Sequence, residues 1–423
     1  MTMQRPTFFP AWKKQSITHL FLGIDFGTSF TKVSYSYAFS NKLQIHTLKW
    51  ENSSFEEGYI IPTILYVQND LLFFDRPESD CLEVKYFKYS ILEKKLKNKN
   101  NRQKTSCDFE EMCCVYYLAQ VIKRSLEKIK SELLLQNFDG IDISINMGVP
   151  LENFYEDEKL RNKDRYQDIL ENAVVLAGGS KIFTKTPQNQ VEIKNLDFVY
   201  NELIHKKAIL NWRVNVFPEL AAEILLYHMS KTVPSSCYAV IDIGGGTVDL
   251  ALFQKYKGID NNYDLNCLGQ KVLPYGAEII YKKAYPFEQI EQIFSNTFWE
   301  IFERAKKFIN VRFEQIEVFF FGGGSLDPII QDFYMRILNK RNNNRIKFNH
   351  TIKDLFLDEE SLIVKNQRLI ISQMLAKSIQ EIDNVKSFPN FYESELEERL
   401  KAPMVYDDYH SELEDILNER YPK

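Results

Sequence analysis

The sequence predicts a two-lobed α/β protein, and three observations carry that expectation. Strand and helix signals are mixed along the whole chain of 423 residues. One strand, glycine turn and strand device occurs twice, near the N-terminus and again in the middle of the chain. A composition of 44% hydrophobic and 26% charged residues is that of an ordinary globular chain, long enough for two or three domains.

Charge and cysteine usage narrow the class. A formal net charge of −5 argues against nucleic-acid binding by the molecule as a whole. The six cysteines, Cys81, Cys107, Cys113, Cys114, Cys237 and Cys267, form neither a CxxC pair nor a Cys/His cluster at zinc spacing, and are expected as reduced thiols. The opening MTMQRPTFFPAWKK has too short an apolar patch for a signal peptide, and no later run approaches the roughly 20 apolar residues that span a bilayer. A cytoplasmic location without membrane partners is expected. The six histidines show no metal or triad spacing.

The elements follow in order. Residues 20–37 read as two strands joined by a tight turn at DFGTS, and 141–149 as a further strand. Between them the clearest helix covers 109–135, with Met112, Val115, Tyr116, Ala119, Ile122, Leu126, Ile129 and Leu133 at three- and four-residue steps and Asp108 placed to cap it. Helices are also predicted over 219–229, 290–309 and 369–382, and strands over 238–243, 248–253 and 316–321. Polar, turn-rich loops lie near 97–106, 178–190, 230–236 and 339–345, and the one at SKTVPSS marks the boundary between the halves. The expected division is 17–232 for the first lobe, 236–385 for the second and 386–423 for an acidic helical tail. The basic run at 94–104 is either a solvated loop or a partner contact, and the tail either docks on a partner or packs as a terminal helix.

In YAVIDIGGGTVDLALF the glycines interrupt a strand. A dinucleotide fingerprint or a Walker loop needs a helix after its glycines, but here Val248, Leu250 and Leu252 continue as a strand. The motif is therefore a hairpin turn, whose successive N–H groups can form an anion-binding nest. FLGIDFGTSFTKVSY has the same grammar: Asp25 precedes Gly27, Thr28 and Ser29, as Asp242 precedes Gly244, Gly245, Gly246 and Thr247, with Asp249 just beyond. Two facing nests could hold a polyphosphate, with the acids holding its magnesium mostly through water. The expectation is a nucleotide site in a cleft.

These motifs resemble those of the superfamily of actin, sugar kinases and DnaK-type heat-shock chaperones, and most of all the chaperone ATPase branch. GIDFGTSFTKV is similar to the first phosphate motif, IDIGGGTVDLAL to the second and VFFFGGGSLDPII to the adenosine motif. The resemblance implies an actin-like ATPase fold: two ribonuclease H-like lobes around a nucleotide cleft, with a C-terminal helix returning to lobe I. The chain is short between Gly276 and Gly323, which implies a reduced outer subdomain in lobe II. Residues 383–423 are too few for the client-binding domain of true chaperones.

Site residues follow from the same resemblance. FPELAAEILLY is similar to the helix connecting the lobes and puts Glu219 in the place of a catalytic glutamate. SDCLEVKYFKYSIL puts Lys85 in the role of the catalytic lysine, with Lys88 as alternate. LPYGAEII brings Gly276, Ala277 and Glu278 towards the nucleotide. ERAKK, with Glu303, Lys306 and Lys307, either touches the adenosine or is only the helix before the adenosine strand. Gly323, Gly324 and Ser325 would lie beneath the nucleoside, while Asp327 near the base leaves adenine against guanine open.

The implied chemistry is magnesium-dependent hydrolysis of ATP to ADP. Gly27, Thr28, Ser29 and Phe30 would cradle the phosphates from one side and Gly244, Gly245 and Gly246 from the other. Lys85, Glu219, Asp242 and Thr247 would orient the attacking water and neutralise charge, with Asp25, Asp242 and Asp249 around the metal. Three functions share such a cleft: a DnaK-like switch acting on a protein partner, an actin-like or plasmid-segregation-like filament, and a small-molecule kinase.

Overall fold

The computed structural model describes residues 17–39, 42–50, 58–85, 87–88, 109–149, 162–178, 190–192, 212–220, 222–223, 225, 236–257, 263–308, 316–341, 346–349, 369–377 and 385–387. The first half runs β1 (His19–Phe26), β2 (Phe30–Phe39), β3 (Lys42–Thr47), β4 (Ile61–Pro62), β5 (Leu65–Gln68), β6 (Leu71–Phe73), β7 (Leu82–Val84), α1 (Phe109–Glu132), β8 (Asp142–Val149), α2 (Asn162–Gly178), β9 (Gln190–Glu192) and β10 (Arg213–Pro218). The second runs β11 (Ser236–Ile243), β12 (Val248–Lys257), β13 (Tyr263–Leu273), α3 (Ala277–Tyr281), α4 (Phe287–Phe308), β14 (Ile316–Phe321), α5 (Pro328–Asn339), β15 (Ile346–Asn349), α6 (Ile370–Leu375) and β16 (Val385–Ser387).

Two mixed sheets repeat one strand order. The first runs β10-β8-β1-β2-β3 and the second β15-β14-β11-β12-β13, extended by β16. In each, a hairpin pairs antiparallel in the middle, while later strands add in parallel to its first strand. Such central strands are covered on both faces, which is why neighbours that point to opposite faces, Ile24 and Asp25 in β1 and Tyr238, Ala239, Val240 and Ile241 in β11, are all buried. A small third sheet, β7-β5-β6-β9, is formed by residues of the first half.

The helix predicted over 109–135 is α1, and the positions in its stripe from Met112 to Ile129 are buried. It packs beside α2. α6 lies against β1, β2 and β8. Gly23 allows that approach, since a Cβ there would meet the backbone of Ser372, Leu375 and Ala376. The buried Asn146 side chain donates to Leu375 O at 2.7 Å and Lys377 O at 3.0 Å, so the end of α6 is tied to β8.

Some expectations change. Only residues 282–286 separate α3 from α4, and α4 with β14 fills most of the span between Gly276 and Gly323 in which a reduced outer subdomain is expected. Of the helix predicted over 369–382, Ile370–Leu375 is helical and 378–382 lie outside the described residues. The basic run at 94–104, the boundary loop at 230–235, Asp108 and the tail from 388 onwards also lie outside them. Among the described residues no helix is long and apolar enough to cross a membrane.

Candidate functional site

The two hairpins are built alike. In β1 and β2 the turn closes with Gly27 N–H donating to Phe30 O at 3.1 Å; in β11 and β12 it closes with Gly244 N–H donating to Thr247 O at 2.9 Å. Across the first hairpin Asp25 faces Lys32, and at the equivalent register of the second Asp242 faces Asp249. Their turns meet at a cleft of 740 Å³.

Backbone geometry aims the second turn. The N–H groups of Gly276, Ala277 and Glu278, at the start of α3, donate to the carbonyls of Gly246, Gly244 and Gly245 at 3.1, 2.9 and 2.9 Å. In a trans peptide the N–H points opposite to the C=O, so this docking turns the amides of Gly245, Gly246 and Thr247 away from α3 and towards the cleft. Close approach demands glycine at Gly276, where a Cβ would stand 2.4 Å from the backbone oxygen of Gly245. Ser29 donates a hydrogen bond to Glu278, so the first turn touches the second half directly.

Most of the expected residues come together. Asp25 and Gly27 to Phe30 line the cleft from the first hairpin, and Asp242, Gly244, Gly245, Thr247 and Asp249 from the second. Ala277, Glu278, Gly323, Gly324 and Glu219 complete much of the wall. Gly246, Gly276 and Ser325 stand behind it; the Ser325 hydroxyl donates to Gly322 O at 2.8 Å. Glu303 is exposed on α4 and does not line the cleft, while Lys306 and Lys307 belong to the last turn of α4 with side chains outside the described residues.

Lys85 is not at the site. It follows edge strand β7 and pairs with Glu83 at 2.5 Å, because an extended chain points it along the third sheet. The alternate, Lys88, lines the cleft instead. Its Nζ lies 2.7 Å from Glu219 Oε1 and donates as well to Phe26 O. Glu219 begins a helical turn directly after β10 and packs over Gly148, where a Cβ would come within 2.9 Å of Glu219 Cγ.

Four further residues escaped the sequence reading. Lys32 Nζ lies 2.7 Å from Asp25 Oδ2. Its signal was its place opposite Asp25, which only the strand register reveals. Glu223, one turn beyond Glu219, is buried beside Asp242 and Asp249. Gly322 has φ of 77°, and a Cβ there would collide with Asp242 Oδ1 and the Ile243 carbonyl. Tyr281, exposed at the mouth, donates its hydroxyl proton to Asp327, which caps α5 by accepting from Ile329 N at 2.9 Å.

The electrostatics are dominated by buried carboxyls. Burial, then the charges of Glu219 and Asp25, push the Asp242 carboxyl up to about 7 against the opposing pull of Lys32. Burial, then the charges of Asp242 and Asp249, raise the Glu223 carboxyl well above its ordinary value. Glu219 is likewise raised by burial, against the pull of Lys88. Burial alone would lower Lys32, but the charge and hydrogen bond of Asp25, with help from Asp242 and Glu219, raise it instead. Glu219, Asp242 and Asp249 each offer one oxygen within 4.8 Å of the others, and Asp242 Oδ1 has no hydrogen-bond partner among the described residues. That set of hard oxygen donors suits a divalent cation such as magnesium.

No family model matches the chain, and no curated protein is significantly similar to it.

Proposed function

We propose that the cleft binds the triphosphate of ATP together with magnesium and hydrolyses it, and that the two lobes convey the change to a protein partner as a DnaK-like conformational switch. The observation that carries this reading is the pair of equivalent glycine hairpins lining one cleft, each with a buried aspartate at its entrance. The repeated strand order supports the actin-like, duplicated ribonuclease H-like fold that the motifs imply.

Roles follow from position. The turns at Gly27 to Phe30 and Gly244 to Thr247 offer backbone amides to phosphate oxygens. Lys88 takes the role first expected of Lys85, and with Lys32 supplies positive charge to the lining of the cleft. Glu219, held by Lys88, accepts a hydrogen bond from the attacking water, which the Thr247 hydroxyl helps to orient. Asp25, Asp242 and Asp249 would hold magnesium, which when bound neutralises phosphate charge. Ala277, Gly323, Gly324 and the mouth residues Tyr281 and Asp327 border the space left for the nucleoside.

A filament-forming ATPase is the second reading, favoured by the direct α3 to α4 connection at 282–286, which is too short to carry an outer subdomain of its own. ATP turnover measured beside sedimentation tests both. The switch reading expects magnesium-dependent turnover by a species that stays in the supernatant. Pelleting with a slowly hydrolysed ATP analogue would move the conclusion to the filament, and absence of nucleotide binding would overturn both.

A further inference from the structure

We infer that Thr63 is the positioning residue of the first glycine turn: its hydroxyl and its backbone N–H together hold the carbonyls of Gly27 and Ser29, and so set the direction of the Thr28 amide. The inference rests on the reading of that turn as a phosphate cradle and deepens it. Its starting point is that the two turns are held by different means. The second is docked by three backbone amides at the start of α3, those of Gly276, Ala277 and Glu278. The first is held by β4, which pairs with β2 so that Pro62 lies opposite Phe30 and Ile61 opposite Thr31.

Thr63, directly after β4, makes both holding contacts. Its N–H donates to Ser29 O at 2.9 Å, and its hydroxyl donates to Gly27 O at 2.9 Å. A carbonyl can only accept, so the single proton of the Thr63 hydroxyl is committed to Gly27. The Thr31 hydroxyl, 3.0 Å away, is then the donor in its contact with Thr63. Thr63 is 1% exposed and Thr31 is fully buried, so solvent does not compete for these bonds. Tyr117 of α1, also buried, donates to Pro62 O at 3.0 Å and fixes β4 in turn.

Peptide geometry carries this to the cleft. In a trans peptide the N–H points opposite to the C=O, so holding Gly27 O against Thr63 turns the Thr28 N–H away from β4, and Thr28 lines the cleft. A donor fixed in advance serves a polyphosphate well, because the turn need not reorganise when the charge arrives. Valine at position 63 would keep the shape and the backbone N–H but leave Gly27 O without this donor, which corresponds to about tenfold in affinity. The second turn lacks that sensitivity, since its holding groups are backbone N–H groups that a change of side chain of similar shape leaves in place.

The test uses the full chain labelled with ¹⁵N-threonine, its Thr28 amide resonance identified by its loss in Thr28→Ser, and calorimetric titration with magnesium-ATP and separately with inorganic tripolyphosphate. Thr63→Val should move the Thr28 resonance of the ligand-free protein and weaken both ligands about tenfold. Thr63→Ser keeps the hydroxyl and should restore the resonance and most of the affinity. Thr31→Val removes only the donor behind Thr63, and should bind within about threefold of the parent. A merely structural residue would lower the melting temperature of Thr63→Val without moving the Thr28 resonance or the affinity of the folded chain, and that result would overturn the inference. Equal losses in Thr31→Val and Thr63→Val would overturn it too, because the tie to Gly27 survives in the former. A parent that binds neither ATP nor tripolyphosphate would overturn the proposed function, while the Thr28 resonance of the ligand-free variants would still decide whether Thr63 sets the turn.

Discussion

The two hairpins share register, turn closure and burial, yet they handle charge in opposite ways. In the first, Asp25 and Lys32 neutralise each other across the strands, and the pair is complete within the chain. In the second, Asp242 and Asp249, two like charges, face each other across the strands, with Glu223 buried beside them. The difference teaches that one duplicated scaffold can carry an opposite-charge pair in one copy and a like-charge pair in the other, through a single cross-strand position.

The most disruptive way to probe this comparison is to strip the first hairpin of its internal partner. Lys32→Met leaves Asp25, 2% exposed, as an uncompensated buried carboxylate, and should cost about 3–5 kcal/mol in urea unfolding. Adding Asp25→Asn should restore most of that; a double variant as unstable as the single would show that the ion pair is not the cause.

Next in size is the lysine that bridges the hairpin to Glu219. Lys88→Ala should lower single-turnover ATP hydrolysis by about 10²–10³-fold, while Lys85→Ala should leave it nearly unchanged. The opposite ranking would return the catalytic role to Lys85.

Relieving the second hairpin should act in the other direction. Asp249→Asn, measured at pH 8 without metal, is expected to stabilise the fold by about 0.5–1 kcal/mol, because a like-charge pair is removed. A destabilised metal-free variant would mean that the Asp249 carboxylate is held by the fold itself.

The smallest effect lies away from the cleft. His46 packs beside both Tyr35 and Tyr37, with centroids 5.1 and 5.6 Å away, and burial lowers its pKa below 6.5 despite the charge of Glu132. The unfolded chain therefore binds a proton first as pH falls through 6.5, so the His46 contribution to stability is full above that pH and is lost below it. His46→Phe should flatten the stability profile of the first hairpin's sheet between pH 7 and 5; a profile as steep as the parent's would assign that pH dependence to other groups.

Much of the site was legible because its residues sit on strands and turns with strong local signals. DFGTS and DIGGGT announced hairpins by glycine placement and flanking apolar runs, and β14 has the bounds that its apolar run predicted. Lys85 and Lys88 could not be ranked in the same way. They stand three positions apart, and which of them reaches Glu219 depends on how the chain leaves β7 for the helical turn at Phe87 and Lys88. Glu223 was hidden for a related reason: in FPELAAEILLY it reads as one more polar helix position, and only packing against β11 and β12 makes it a buried acid.

By itself the sequence determined the α/β class, the two glycine hairpins, the α1 stripe and the acids that enter the turns, since each is a local choice of backbone conformation or periodicity. Tertiary structure alone decided that the hairpins share a cleft, that Lys88 rather than Lys85 lies in it, and that Lys32 answers Asp25 while Asp249 opposes Asp242. Those are relations between segments far apart in the chain, and strand register and packing set them through distance and burial, which no local pattern encodes.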